Sequence, residues 1–282
     1  MASLSRFQKY AALGIGTIGG AFLFYKNVYR HEEGQGQVLT AWTTNFTPSV
    51  TWDSNWDRRD PSSMVKPMKI KNEEDENKYN EKIESRKSKA TRHLILVRHG
   101  QYNLQGTTDS ERVLTELGRQ QADMTGKRLA ELAIPFTTIV RSTMARAQET
   151  SKIIEKSLGN IPVEDDSLII EGAPIPPEPP IGNWRAEKYY YQDGARIEAA
   201  FRKYFYRADP SQEKDSYELL VCHGNVIRYF VCRALQFPPE GWLRLSINNG
   251  SITWITIRPS GRVSLRVYGE SGHMRPEAIT ST

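Results

Sequence analysis

Apolar and polar positions follow three different patterns along this 282-residue chain. Residues 10–25, YAALGIGTIGGAFLFY, are an unbroken uncharged run. Residues 31–90 show little apolar periodicity, contain Pro48, Pro61 and Pro67, and carry a charged stretch over 71–89. There Glu74 and Lys78 are four apart, which suits a solvated helix and not a core helix. From Thr91 onward short apolar runs alternate with segments of helical period. Runs 93–97, 136–140, 217–222, 252–257 and 263–268 read as strands, the last two as a hairpin around Pro259-Ser260-Gly261. Helices are predicted over 116–132, capped by Thr115 with Leu117, Met124 and Leu132 on one face, from Ser142 or Thr143 towards Leu158, over 198–206, and over 226–235. Strands alternating with helices predict an α/β fold: a three-layer, open, mostly parallel sheet with helices on both faces. The boundaries are an amino-terminal segment 1–30, a tether 31–90 and an α/β body 91–282.

Composition narrows the function classes. Hydrophobic residues make up 38% and charged residues 25%, enough apolar material for a core, so global disorder is excluded. The two cysteines exclude a disulfide-stapled secreted fold and a four-cysteine metal site. A net charge of +5 suits anionic substrates or a membrane surface and is too small to argue for nucleic acid.

The run at 10–25 is flanked by Arg6, Lys9, Lys26 and Arg30, and no acidic residue precedes Glu32. It is short for a spanning helix, which takes about 20 residues, unless Asn27–Tyr29 and snorkelling lysines extend it. An uncleaved membrane anchor or mitochondrial address is expected, with a buried soluble helix as the alternative. Gly14, Gly16 and Gly19 spell G-x-G-x-x-G, but no strand precedes them; helix packing in lipid, with Gly16 and Gly20 as G-x-x-x-G, explains them better than a dinucleotide. In the tether, Trp52-Asp53-Ser54-Asn55-Trp56-Asp57 places two indoles in polar surroundings. Either they dock on the chain's own body, or Trp52, Asp53, Asn55, Trp56 and Asp57 form a self-assembly motif.

In open α/β sheets, ligands bind beyond the carboxyl ends of the strands. Arg98 and His99 followed by Gly100, Arg146 at the start of a helix, and His223 followed by Gly224 all fall at such positions. Guanidinium forks and helix amino-termini suit a phosphate dianion, and a neutral imidazole can attack phosphorus. A surface role for each residue, or a metal site, is the competing reading. The histidines lack neighbouring ligands at i+2 to i+4, and Cys222 points away from His223 on its strand. His93 is expected at the strand entrance, and His31 and His273 in flexible ends.

LILVRHG at 94–100, Leu114-Thr115-x-x-Gly118-x-x-Gln121-Ala122, Ser142-x-x-x-Arg146-Ala147-x-x-Thr150, Glu171-Gly172 and Val221-x-His223-Gly224 together resemble the histidine phosphatase superfamily, also called phosphoglycerate-mutase-like. The resemblance implies His99 as nucleophile, Arg98 and Arg146 as phosphate clamp, His223 as catalytic partner and second phosphate ligand, Glu171 as acid and base, and no cofactor or metal. Glu171 read alone is an exposed loop carboxylate. WDSNWD, the amino-terminal run, EGAPIPPEPP at 171–180 and ALQFPPEGWLRL at 234–245 are similar to the mitochondrial, membrane-attached Ser/Thr protein phosphatases of that family. That implies phosphorylated proteins as substrates, self-association as a dimer and higher oligomer, attachment to a mitochondrial membrane (the outer one favoured over the inner) and stress-kinase partners such as apoptosis signal-regulating kinase. The prolines at 174–180 form either a polyproline ligand or, favoured by their place after Glu171, a stiff lid. The competing functions are a small-molecule phosphomonoesterase, a phosphoglycerate mutase, for whose covering insertions residues 91–282 leave little room, and a membrane scaffold, which needs none of the charged set.

Overall fold

The computed structural model describes residues 47–182 and 186–281. The expected anchor at 10–25, with its glycines, lies outside them, as do His31, Trp42 and Phe46. Among the described residues no helix is long and apolar enough to cross a membrane. A compact unit runs from Trp52 to Thr282 and so contains the WDSNWD motif.

Among the described residues, six strands form one sheet: β1 Arg92–Arg98, β2 Thr138–Ser142, β3 Val163–Asp166, β4 Ser216–Cys222, β5 Ile252–Ile257 and β6 Val263–Glu270, in the order β3-β2-β4-β1-β5-β6. The first four in that order are parallel, and β5 and β6 are antiparallel additions. Helices are α1 Glu73–Glu84, α2 Glu116–Glu131, α3 Ala145–Leu158, α4 Glu187–Tyr204 and α5 Gly224–Ala234.

β1 and β4 read as continuous apolar runs because both faces are covered. Leu94, Leu96, Leu220 and Cys222 pack into the cluster with Ile197 and Phe201 of α4 and Phe230 of α5. Ile95, Val97, Leu219 and Val221 point the other way, to Leu129 of α2 and Ile154 of α3. The α/β three-layer expectation is met.

Local differences have physical causes. β3, VEDD, is an exposed edge strand with no apolar alternation to betray it. β2 lies two residues later than expected, so α3 begins only at Ala145. α4 begins at Glu187, well before 198, because its exposed first half lacks a buried face. Thr115 does cap α2, accepting from the Gly118 amide. The buried face of α2, however, is Gly118, Gln121, Ala122, Thr125, Gly126 and Leu129; Leu117, Met124 and Leu132 are half-buried. Close approach selects small residues there: a Cβ on Gly126 would lie 3.1 Å from the Ile154 Cα. His273 is not in a loose end. Its side chain is buried between Glu270 Oε2 at 3.0 Å and Thr125 Oγ1 at 3.1 Å.

Trp56 Nε1 donates to the Gly261 carbonyl at 2.8 Å, and its ring meets Phe201. Asp57 receives the Arg207 amide and guanidinium, at 2.8, 3.0 and 2.9 Å, with both side chains buried. Asp53 exchanges backbone bonds with the Gln236 amide at 2.8 and 2.9 Å, and Asn55 Oδ1 accepts from the Asp60 amide. Trp52 stays 39% exposed. The β5–β6 turn that holds Trp56 sits where Ile257 pairs with Arg92, at the opposite end of β1 from His99.

Candidate active site

Strand register builds the site. Arg98 of β1 pairs with Cys222 of β4, so the residues that follow, His99 and His223, emerge side by side at the carboxyl edge, their ring centroids 5.1 Å apart. β2 runs parallel beside β4 and delivers Ser142 and then Arg146 in the first turn of α3. One close approach and two hydrogen bonds fix the first corner. A Cβ on Gly100 would fall 2.4 Å from the Gly118 carbonyl oxygen, so only glycine lets the turn lie on α2. The Gly100 amide donates to Thr150 Oγ1 at 3.1 Å, and the His99 carbonyl accepts from Asn249 at 3.2 Å.

His99 is 2% exposed. Its Nδ1 lies 2.8 Å from the Gly100 carbonyl, which requires the proton on Nδ1 and leaves a lone pair on Nε2. Arg146 Nε donates to that Nε2 at 3.2 Å. Burial holds the His99 pKa well below its ordinary value, and Arg146 and Arg98 add to the effect against the Gly100 hydrogen bond. His223 is lowered in the same way, by burial, then Arg146, His99 and Arg98. Both imidazoles are therefore neutral at pH 7. His223 Nε2 lies 2.7 Å from Ser142 Oγ. The Ser142 oxygen also receives the Met144 amide; with the Ser142 hydroxyl donating to Nε2, the His223 tautomer carries its proton on Nδ1.

Buried donors converge here. Arg98 Nη1 reaches the Ile247 and Ser281 carbonyls at 2.7 and 3.0 Å. Arg98 Nε, Arg146 Nη1 and His223 Nδ1 are buried with no hydrogen-bond partner among the described residues. Three buried N–H groups around one imidazole lone pair suit the oxygens of a phosphoryl group. Glu171 is partly buried, its Oε1 accepting from the Gly172 amide at 3.2 Å. Burial raises its pKa; Arg146, the Gly172 amide, Arg98 and Arg228 oppose that rise. It is not the exposed loop carboxylate of the alternative reading.

The arrangement thus brings together Arg98, His99, Arg146, Glu171 and His223, and leaves Trp52, Asp53, Asn55, Trp56 and Asp57 elsewhere. Sequence reading missed Tyr102, whose ring stands edge-on to His99 at 5.2 Å and under the Arg146 guanidinium at 4.7 Å. It also missed Asp109, which accepts from the Ala145 amide at 2.9 Å and lies 3.5 Å from Arg146. The prolines after Glu171 are fastened to the segment 239–244: Trp242 donates to the Ile175 carbonyl, the Glu178 amide donates to the Glu240 carbonyl and Arg244 donates to the Glu178 carbonyl, each at 2.9 Å.

The family described as histidine phosphatase superfamily (branch 1) matches residues 94–173 and 179–269. Curated relatives include the mitochondrial serine/threonine-protein phosphatase Pgam5 of Drosophila erecta, 51% identical over 279 residues, covering 97% of this chain and 96% of that protein. The mitochondrial serine/threonine-protein phosphatase PGAM5 of Mus musculus is 50% identical over 277 residues, covering 96% of each. Among solved structures, the phosphoglycerate mutase of Plasmodium falciparum is 36% identical with a TM-score of 0.47, covering 64% of this chain and 91% of that one.

Proposed function

This chain belongs to the histidine phosphatase superfamily, and from that premise we propose that it is a Ser/Thr protein phosphatase working through a phosphorylated His99. One observation carries the reading: a neutral imidazole, its Nε2 lone pair free of a proton, is ringed by Arg146, Arg98 and His223. The phosphate oxygens of a phosphoserine take the unpartnered N–H groups of Arg98, Arg146 and His223. As the phosphoryl group arrives, the 3.2 Å bond from Arg146 Nε passes from His99 Nε2 to an oxygen. The Nε2–P bond forms, the P–O bond to serine breaks, and the electron pair leaves on the serine oxygen, which takes a proton from the partly buried Glu171 carboxyl. Glu171, now a carboxylate, removes a proton from water attacking phosphorus, and inorganic phosphate departs with His99 restored. Positive charge at the transferring group comes from guanidinium groups fixed before substrate binds.

The relatives' names support a protein substrate and a mitochondrial location. The apolar run at 10–25 with its basic flanks supports attachment to a mitochondrial membrane, the outer one in our reading. Exposed Trp52 supports self-association of copies already carrying a docked Trp56. The resemblance of the whole chain supports a stress-kinase partner such as apoptosis signal-regulating kinase.

The test is phosphate release from a phosphoserine peptide and from 3-phosphoglycerate by the full chain and its His99→Ala variant. The peptide should be hydrolysed and His99→Ala should lose at least ~1,000-fold. Preference for 3-phosphoglycerate would favour the small-molecule alternative, and a fully active His99→Ala would remove the phosphohistidine.

A further inference from the structure

Glu171 sits on a loop without regular structure, and among the described residues its carboxyl takes one hydrogen bond, from its own neighbour Gly172. Its aim therefore depends on what holds the main chain on either side. We propose that Arg196, acting with Asp193, is the positioning residue for the acid: the pair on α4 clamps the 168–173 loop so that the Glu171 carboxyl faces the leaving oxygen. The proposal rests on the acid role given to Glu171 above.

The clamp is nearly continuous. Arg196 Nη1 donates to the Leu168 carbonyl at 2.8 Å and the Ile170 carbonyl at 2.7 Å. Its Nη2 donates to the Glu171 carbonyl and to Asp193 Oδ1, each at 3.1 Å. Asp193 Oδ2 accepts from the Ala173 amide at 2.9 Å. From the other side, Asn225 in the first turn of α5 donates to the Gly172 carbonyl at 3.1 Å, and Arg228 steadies the Asn225 oxygen at 3.2 Å. A planar guanidinium is the group that can take several carbonyls in one plane; an ammonium at the same place would hold fewer.

Helix and loop also touch where only glycine permits it. A Cβ on Gly172 would stand 2.5 Å from Arg196 Nη2 and 2.6 Å from the Asp193 carboxyl carbon, and one on Gly194 would stand 2.5 Å from the Pro174 carbonyl oxygen. The acid is thus aimed by a helix that contributes no residue to the phosphate site. Misplacing a reacting group by about an ångström is costly, so the clamp matters most when proton delivery limits the rate.

The experiment uses that dependence on the leaving group. Values of kcat/KM, which report events up to departure of the alcohol, are compared for a phosphoserine peptide and for p-nitrophenyl phosphate, whose phenolate leaves without a proton. Arg196→Met and Gly172→Ala should each lose about 10- to 100-fold on the peptide and less than about 3-fold on the nitrophenyl ester, with Arg196→Lys retaining part of the peptide rate. Equal losses on both esters, or an unaffected peptide rate, would overturn the clamp. Glu171→Gln is measured beside them. If it shows no selective loss on the peptide, the acid reading of Glu171 fails and takes the clamp with it; if it does and the other variants do not, only the clamp fails. Should Arg196→Met not fold, Gly172→Ala, which keeps every clamping side chain, decides alone.

Discussion

His99 and His223 show how much depends on a proton that is not there. Their pKa values are held down by burial and by the guanidinium groups of Arg146 and Arg98, so the folded chain stays unprotonated while the unfolded chain takes protons below about pH 6.5. Unfolded histidines binding more protons make stability rise with pH, so their contribution is complete above that value and is lost as pH falls beneath it. The slope approaches about 1.4 kcal/mol per pH unit for each group. Urea denaturation between pH 5 and 7.5 should show stability falling on the acid side, and His223→Gln should flatten the fall; an unchanged slope in that variant would mean His223 is charged in the fold. At this scale the sequence was most legible. Strand-end positions marked Arg98, His99 and His223, and the start of a helix marked Arg146, because topology alone sends such residues to one edge. Tyr102 and Asp109 were not legible, since loop residues converge through turns that no periodicity encodes.

Among the elements, α2 shows where hydrophobicity misleads. Leu117 and Met124 are half-buried and Leu129 alone of its large apolar residues is fully buried, whereas Gly118, Ala122 and Gly126 make the close approaches, so packing distance counts for as much as area in that helix. A Cβ on Gly118 would lie 1.9 Å from the Gln101 carbonyl oxygen, in the turn that follows His99. Gly118→Ala must therefore push α2 or that turn aside, at about 1–3 kcal/mol by the usual overpacking cost. Both a lowered denaturation midpoint and reduced phosphopeptide turnover are expected; an unchanged turnover would mean that the turn, and with it His99, does not rest on α2. The interior strands declared themselves as apolar runs buried on both faces, while β3, exposed at the edge, had nothing to declare.

For the molecule as a whole, the amino-terminal motif belongs to the stability of the body. Asp57 neutralises Arg207, which is 2% exposed, and without it the buried guanidinium keeps only the more distant Asp60 carboxylate, at 3.8 Å, among the described residues. Asp57→Ala should lower the unfolding free energy by about 3–5 kcal/mol, read from urea denaturation of the full chain. A change below about 1 kcal/mol would mean that the motif is not seated on this surface in solution. From sequence, docking and self-assembly explained the two indoles equally well, because a tether's landing place is a property of three-dimensional proximity. The side-by-side strands β1 and β4 have a last consequence. Adjacent backbones in a sheet lie about 4.8 Å apart, and the two imidazoles that leave them are spaced by nearly that much, 5.1 Å. The ladder itself works as a ruler: the gap across which the reaction takes place is inherited from peptide spacing, and the loops around it can be rewritten for new substrates without resetting it.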